Sequence, residues 1–116
     1  MLYNLDTMRR KPGELIPFES ELIEAATKLK QLGIEEFYGF QISQHIEDTR
    51  LNRLPKPSKL QKLRAIVGYG TLYRALGRLQ EMGILASRWE ELPTGENRPR
   101  RRYYRLIQDK AKKEGK

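Results

Sequence analysis

The sequence predicts a mainly α-helical α+β domain closed by a small β-hairpin. Three observations carry this: helix-spaced apolar stripes that end at glycines, a Pro/Gly/Asn-rich turn between two strand-like runs, and 116 residues with 38% hydrophobic content, which suits one modest core.

Residues 1–16 read as an arm, with RRKPGE leading to Pro17, a favourable first helical position. From Phe18 the residues Leu22, Ala25, Ala26, Leu29 and Leu32 recur at three- and four-residue steps, and Gly33 provides a stop. Ile34 and Phe37 fill a short apolar connection. Phe40, Ile42, Ile46 and Leu51 mark a second helix that Pro55 and Pro57 close. Ser58 is positioned to cap a short helix with Leu60, Leu63 and Ile66 or Val67 turned inward. Between Gly70 and Met82, Leu72, Ala75, Leu76 and Leu79 occupy i, i+3, i+4 and i+7, and Gly83 ends the run. The stretches Ile84–Leu92 and Arg100–Ile107 flank PTGENRP and predict a hairpin with a polar, basic tip. Residues 108–116 are charged, lack an apolar stripe and read as a disordered tail.

Charge is segregated along the chain. Residues 49–80 carry eight Lys/Arg and no acid, residues 95–116 have a net charge of +6, and the remainder is net −6 within a total of +8. Cations gathered on one surface favour a polyanionic partner, since mixed charge serves solubility equally well. The absence of cysteine removes thiolate chemistry, and one histidine, His45, builds no multi-histidine metal site. With no nucleophile–base pair and no phosphate loop before a lysine, the sequence predicts neither an enzyme nor a bound cofactor. No apolar run approaches the ~20 residues that span a bilayer, so a cytoplasmic protein, nucleoid-associated when bound to DNA, is expected.

Helices followed by a basic hairpin match the winged helix-turn-helix plan, with residues 17–107 as the domain. On its third long helix, Arg74 and Arg78 stand four apart on the outer face, where both forks could reach one major groove. Tyr69 and Thr71 sit beside the free amides of the helix start, and the Tyr73 hydroxyl lies on the flank, within reach of a phosphate. Arg98, Arg100, Arg101 and Arg102 are the expected wing contacts, of which strand alternation allows about two to touch phosphate together. The basic residues from 50 to 64 either extend the footprint or turn away from it. Trp89 reads mainly as packing across the hairpin onto a tyrosine, with a ligand contact as the alternative.

GYGTLYRALGRLQEMGILASRWEE (68–91), NRPRRRYYRL (97–106) and the upstream RRKPGELIPFESELIEAATKLKQLGIEEFYGFQIS together resemble the PadR-like family of bacterial transcriptional regulators. The resemblance implies a homodimeric repressor on a roughly palindromic duplex operator. It assigns Thr71, Tyr73, Arg74 and Arg78 to the recognition helix and Arg98 to Arg102 to the wing. Two departures stand out. Residues 107–116 lack the apolar spacing of the family's C-terminal dimerisation helices, which leaves Leu2, Tyr3, Leu5, Leu15 and Ile16 as substitute contacts. The segment 50–67 is also longer than the usual link into the recognition helix. An effector is not implied. A winged-helix adaptor for an acidic protein and a structured-RNA binder remain the alternative readings.

Overall fold

The computed structural model describes residues 14–107; the expectations for the arm before Glu14 and for the tail lie outside the described residues. The elements are α1 (Pro17–Gln31), β1 (Phe37–Tyr38), α2 (Gly39–Asn52), α3 (Lys59–Ala65), α4 (Tyr69–Glu81), β2 (Leu85–Trp89) and β3 (Arg102–Leu106). This is the α+β winged-helix architecture expected from the sequence.

α1 begins at Pro17, whose fixed φ suits a first turn. Its stripe of Leu22, Ile23, Ala25, Ala26 and Leu29 packs with Leu72, Ala75, Leu76 and Leu79 of α4 in one core. α4 stops at Gly83 (φ +79°), where the glycine and Ile84 amides return to the Gln80 and Leu79 carbonyls, a left-handed cap that favours glycine. Leu15 packs on the same core from just before α1, whereas Ile16 is exposed.

The connection after α1 is more ordered than the sequence suggests. Phe37 and Tyr38 form β1 and pair antiparallel with Tyr104 and Tyr103, so the hairpin becomes a three-stranded sheet of order β1-β3-β2. The inner face carries Phe37, Tyr104, Leu85 and Leu106, all buried. On the outer face the Tyr38 and Tyr103 rings meet edge-on at 5.8 Å.

Two expected core faces are corrected. Phe40 is 53% exposed, because α2 buries the residues at 39, 42, 43 and 46. In α3 the Ser58 cap forms as expected, its hydroxyl accepting from the Gln61 amide at 3.1 Å. However, Leu60, Leu63 and Ile66 point to solvent, and Ala65 and Val67 are the buried residues. Polar anchors set this orientation. The Arg50 guanidinium grips Glu21 of α1 through two 2.7 Å bonds and donates to the Ala65 carbonyl at 3.0 Å. The Val67 amide donates to Glu47 at 2.7 Å. Arg50 therefore holds α1, α2 and α3 together, and its hydrogen bond keeps the Glu21 carboxyl below its usual range.

Gly39 sits directly beneath the Tyr73 ring, and a Cβ there would overlap the tyrosine hydroxyl. Gly39→Ala is expected to destabilise the domain by about 0.5–1.5 kcal/mol, the cost of forcing the half-exposed Tyr73 side chain off its rotamer. Thermal or urea melts should show most of that loss recovered in Gly39→Ala/Tyr73→Ala relative to Tyr73→Ala alone. A full loss in the double variant would place the constraint in the backbone and not in the ring.

Candidate nucleic-acid interface

The N-terminal half of α4 and the wing converge on one groove. Tyr69 and Tyr73 of α4, Tyr38, Gly39 and Phe40 at the β1–α2 junction, and Trp89, Arg100, Arg101, Arg102 and Tyr104 of the wing line a cleft of about 740 Å³. Four of its aromatic side chains, Phe40, Tyr69, Tyr73 and Trp89, are each 44–63% exposed. Burial, then the neighbouring Tyr69, pushes the Tyr73 phenol up, so it stays a neutral hydrogen-bond donor at pH 7. The Tyr69 and Tyr73 rings are 6.2 Å apart.

Of the expected contacts on α4, Thr71 and Arg74 are exposed, and among the described residues no carboxylate pairs with Arg74. Arg78 is placed differently. Its Nε lies 3.2 Å from Oε2 of Glu19, a carboxylate whose side chain is 2% exposed, and its Nη2 donates to the Glu14 carbonyl at 3.0 Å. The first turn of α1 covers part of the last turn of α4, so of the two arginines that share the outer face on a helical wheel Arg74 is exposed, whereas Arg78 is drawn onto Glu19 with 29% of its side chain left exposed. Glu19 also accepts from the Ile16 amide at 3.1 Å, completing the α1 terminus.

In the wing, Arg98 turns back onto Glu90 through two 2.8 Å bonds and approaches Glu96 at 3.3 Å. Glu90 also accepts from the Arg101 amide at 3.1 Å, and its own amide donates to the Arg101 carbonyl at 2.8 Å. The Arg98 hydrogen bonds hold the Glu90 carboxyl at about 2. Arg98 is thus a clamp across the wing base. Arg101 lies over the Tyr38 ring at 4.4 Å, and Arg102 over Trp89 at 5.2 Å and Tyr104 at 6.0 Å. Trp89 therefore packs against an arginine of the partner strand where a tyrosine was expected, and it is 55% exposed to the groove. Arg102 Nε donates to Ser87 Oγ at 3.1 Å, and Ser87 in turn donates to Gln80 of α4 at 2.9 Å. Arg100 is exposed.

Sequence reasoning missed Gly39 and Phe40 as groove residues and left Tyr38 open between packing and a ligand contact. The two-residue strand that presents them is too short for a period-2 signal to register. Arg88 was also unremarked; it forms a two-bond pair with Glu36 (2.7 and 2.8 Å) and lies 5.1 Å over Tyr103 on the outer face of the sheet.

Two expected outcomes follow from these pairings. Arg78→Ala removes a charge partner from a buried carboxylate and should cost about 3 kcal/mol of stability in a denaturant titration. Glu19→Gln should restore part of that loss in the double variant by removing the charge. A neutral effect of Arg78→Ala would contradict the buried pair. The Glu90 carboxyl is depressed on folding, so the clamp's contribution is fully present above the unfolded value near 4.5 and is lost as pH falls toward about 2. NMR titration of the Glu90 side-chain carbonyl should therefore show a midpoint well below that of an exposed glutamate; an ordinary midpoint would mean that the clamp is open in solution.

The sequence model of the transcriptional regulator PadR-like family matches residues 29–111. No curated protein matches the chain at a significant level. Among solved structures it is similar to Pex from Synechococcus sp., with 24% identity, a TM-score of 0.46, and coverage of 81% of this chain and 73% of that one. In the described residues no helix is long and apolar enough to cross a membrane. The family match covers well over half of the chain, and the protein belongs to the transcriptional regulator PadR-like family, whose members regulate transcription and are not enzymes.

Proposed function

We propose that this protein is a sequence-specific double-stranded-DNA-binding repressor that acts as a homodimer in the cytoplasm, with α4 in the major groove and the wing on the adjacent backbone. The observation that carries this reading is the groove that sets Tyr69 and Tyr73 of α4 opposite Arg100, Arg101 and Arg102 of the wing. Helix and wing straddle a strand in such a docking, so a sugar–phosphate backbone would run between them. Tyrosine hydroxyls and guanidinium forks are suited to its phosphates, and exposed rings to its sugar faces. The free amides at the start of α4 and the positive end of its dipole add to the attraction. Thr71 and Arg74 are then the side chains on the open face of α4 nearest the base edges. Homodimerisation and repression are carried into this reading by membership of the family.

Fluorescence anisotropy on a duplex from the protein's own upstream region and on a scrambled duplex, across several salt concentrations, tests the proposal. Tighter binding to the native duplex with a steep loss at high salt is expected, and absence of binding to either at low salt would refute it. Structured RNA that outcompetes both duplexes would favour the RNA reading instead. Arg74→Ala should weaken the preferred duplex by ~1–3 kcal/mol with a smaller effect on the scrambled one. Arg101→Ala should weaken both and flatten the salt slope by about one. A salt slope unchanged by Arg101→Ala would remove the wing from the backbone.

A further inference from the structure

α3 exposes the face that a helix of its composition would ordinarily bury. Leu60 (53% exposed), Leu63 (58%) and Ile66 (56%) follow one another at three-residue steps. At 100° per residue Leu60 and Leu63 lie on the side of α3 away from Ala65, the residue that meets the rest of the domain, and Ile66 follows them at the extended C-cap. The result is a ridge of three large aliphatic side chains, and contiguous exposed apolar surface of this kind marks interaction sites. Lys59, Lys62 and Arg64 border the ridge, all exposed, and among the described residues no acid pairs with them.

Charge restricts what can cover the ridge. A symmetric second copy would bring Lys59, Lys62 and Arg64 against the same cations, and the surrounding segment 49–80 contains no acid to relieve the repulsion. The chain's own ends are no complement either, since residues 1–13 and 108–116 each carry a net side-chain charge of +2. Duplex DNA would satisfy the border but not the centre: backbone contacts neutralise cations and give three aliphatic side chains little to bury against. An apolar core with a charged rim is instead the anatomy of a protein–protein contact.

We infer that α3 is a docking ridge for a partner protein, which places an amphipathic helix with an apolar stripe and acidic flanks across Leu60, Leu63 and Ile66. Aliphatic burial supplies the attraction, and carboxylates facing Lys59, Lys62 and Arg64 set orientation and exclude basic competitors. The ridge is separate from the wing groove, so an acidic partner and a duplex need not compete for the same side chains.

The test uses the full chain and two fluorescein-labelled synthetic helical peptides of about 18 residues, long enough to hold helical structure once docked. Both carry a Leu/Ile stripe; one has Glu and the other Lys at the flanking positions. Anisotropy is expected to show saturable binding of the Glu-flanked peptide, at least about tenfold tighter than its Lys-flanked twin. Leu60→Ser/Leu63→Ser should weaken it by about tenfold or more while retaining the far-UV spectrum and duplex affinity. Lys59→Glu/Lys62→Glu, which leaves the apolar ridge intact, should reverse the peptide preference. Equal binding of the two peptides, or no effect of either variant, would overturn the proposal. Loss of duplex affinity in Leu60→Ser/Leu63→Ser would give the ridge to DNA, and a dimer that this variant dissociates in sedimentation would give it to a second copy; either result also overturns it. Failure of the DNA-binding reading would leave the peptide measurements unaffected, so the two proposals fail separately.

Discussion

The arrangement of this domain depends on the accommodation of Glu19. A carboxylate withdrawn from water costs several kcal/mol unless opposite charge and hydrogen-bond donors replace the lost hydration. Glu19 receives both, from the Ile16 amide at the positive end of α1 and from the Arg78 guanidinium at 3.2 Å. That pairing requires the last turn of α4 to lie under the first turn of α1, which fixes how the two helices cross. The buried stripes then meet, Leu22 and Leu29 of α1 with Leu72, Leu76 and Leu79 of α4. A further consequence concerns the surface: Arg78 is drawn toward Glu19 and left only partly exposed, while Thr71 and Arg74, in the N-terminal half of α4 beside the wing, stay open to solvent.

The 23 Lys and Arg of the chain therefore overstate how many cations are free to meet a polyanion. Arg50, Arg78, Arg88 and Arg98 are engaged with Glu21, Glu19, Glu36 and Glu90. They lie at junctions between elements and hold the scaffold together. Arg101 and Arg102 are used differently, since they rest on aromatic faces, and stacking restrains a guanidinium without neutralising it. A cation already held in place would lose less side-chain freedom in the phosphate contact proposed for the wing. Arg74 and Arg100 complete the set as exposed charges with no described carboxylate against them.

The parts of this fold legible in the sequence are those in which one periodicity runs long enough to be read. α1 and α4 show their apolar steps over three or more turns, and Gly33 and Gly83 mark their ends. The wing is announced by PTGENRP between two strand-like runs. A helical wheel, however, shows which residues share a face and not which neighbour crosses that face, so it placed Arg78 beside Arg74 on the outer side. α3 failed for a related reason. Its leucines look like core residues, but its roll is set by polar anchors distant in sequence, Arg50 on the Ala65 carbonyl and Glu47 on the Val67 amide. β1 spans two residues and gains its identity only from pairing with β3. Three of the groove residues, at positions 38 to 40, come from that junction, so this part of the candidate site emerged only with the tertiary structure.

The wing shows how a strict strand rule is relaxed in a useful way. Alternation of side chains would send successive arginines to opposite faces, and about two of Arg98, Arg100, Arg101 and Arg102 would then be expected to act together. β3 begins only at Arg102, so Arg100 and Arg101 lie before the strand, where alternation does not bind them, and all three line one groove. Glu90 makes this possible by fixing the loop: it holds Arg98 back across the wing base and accepts the Arg101 amide. At the other end, Arg102 reaches α4 through Ser87 and Gln80. The same arginine that faces the groove thus ties the root of the wing to the helix on the opposite wall. Wing and α4 are consequently tied by bonded contacts, the restraint that the proposed docking of a backbone between them would demand.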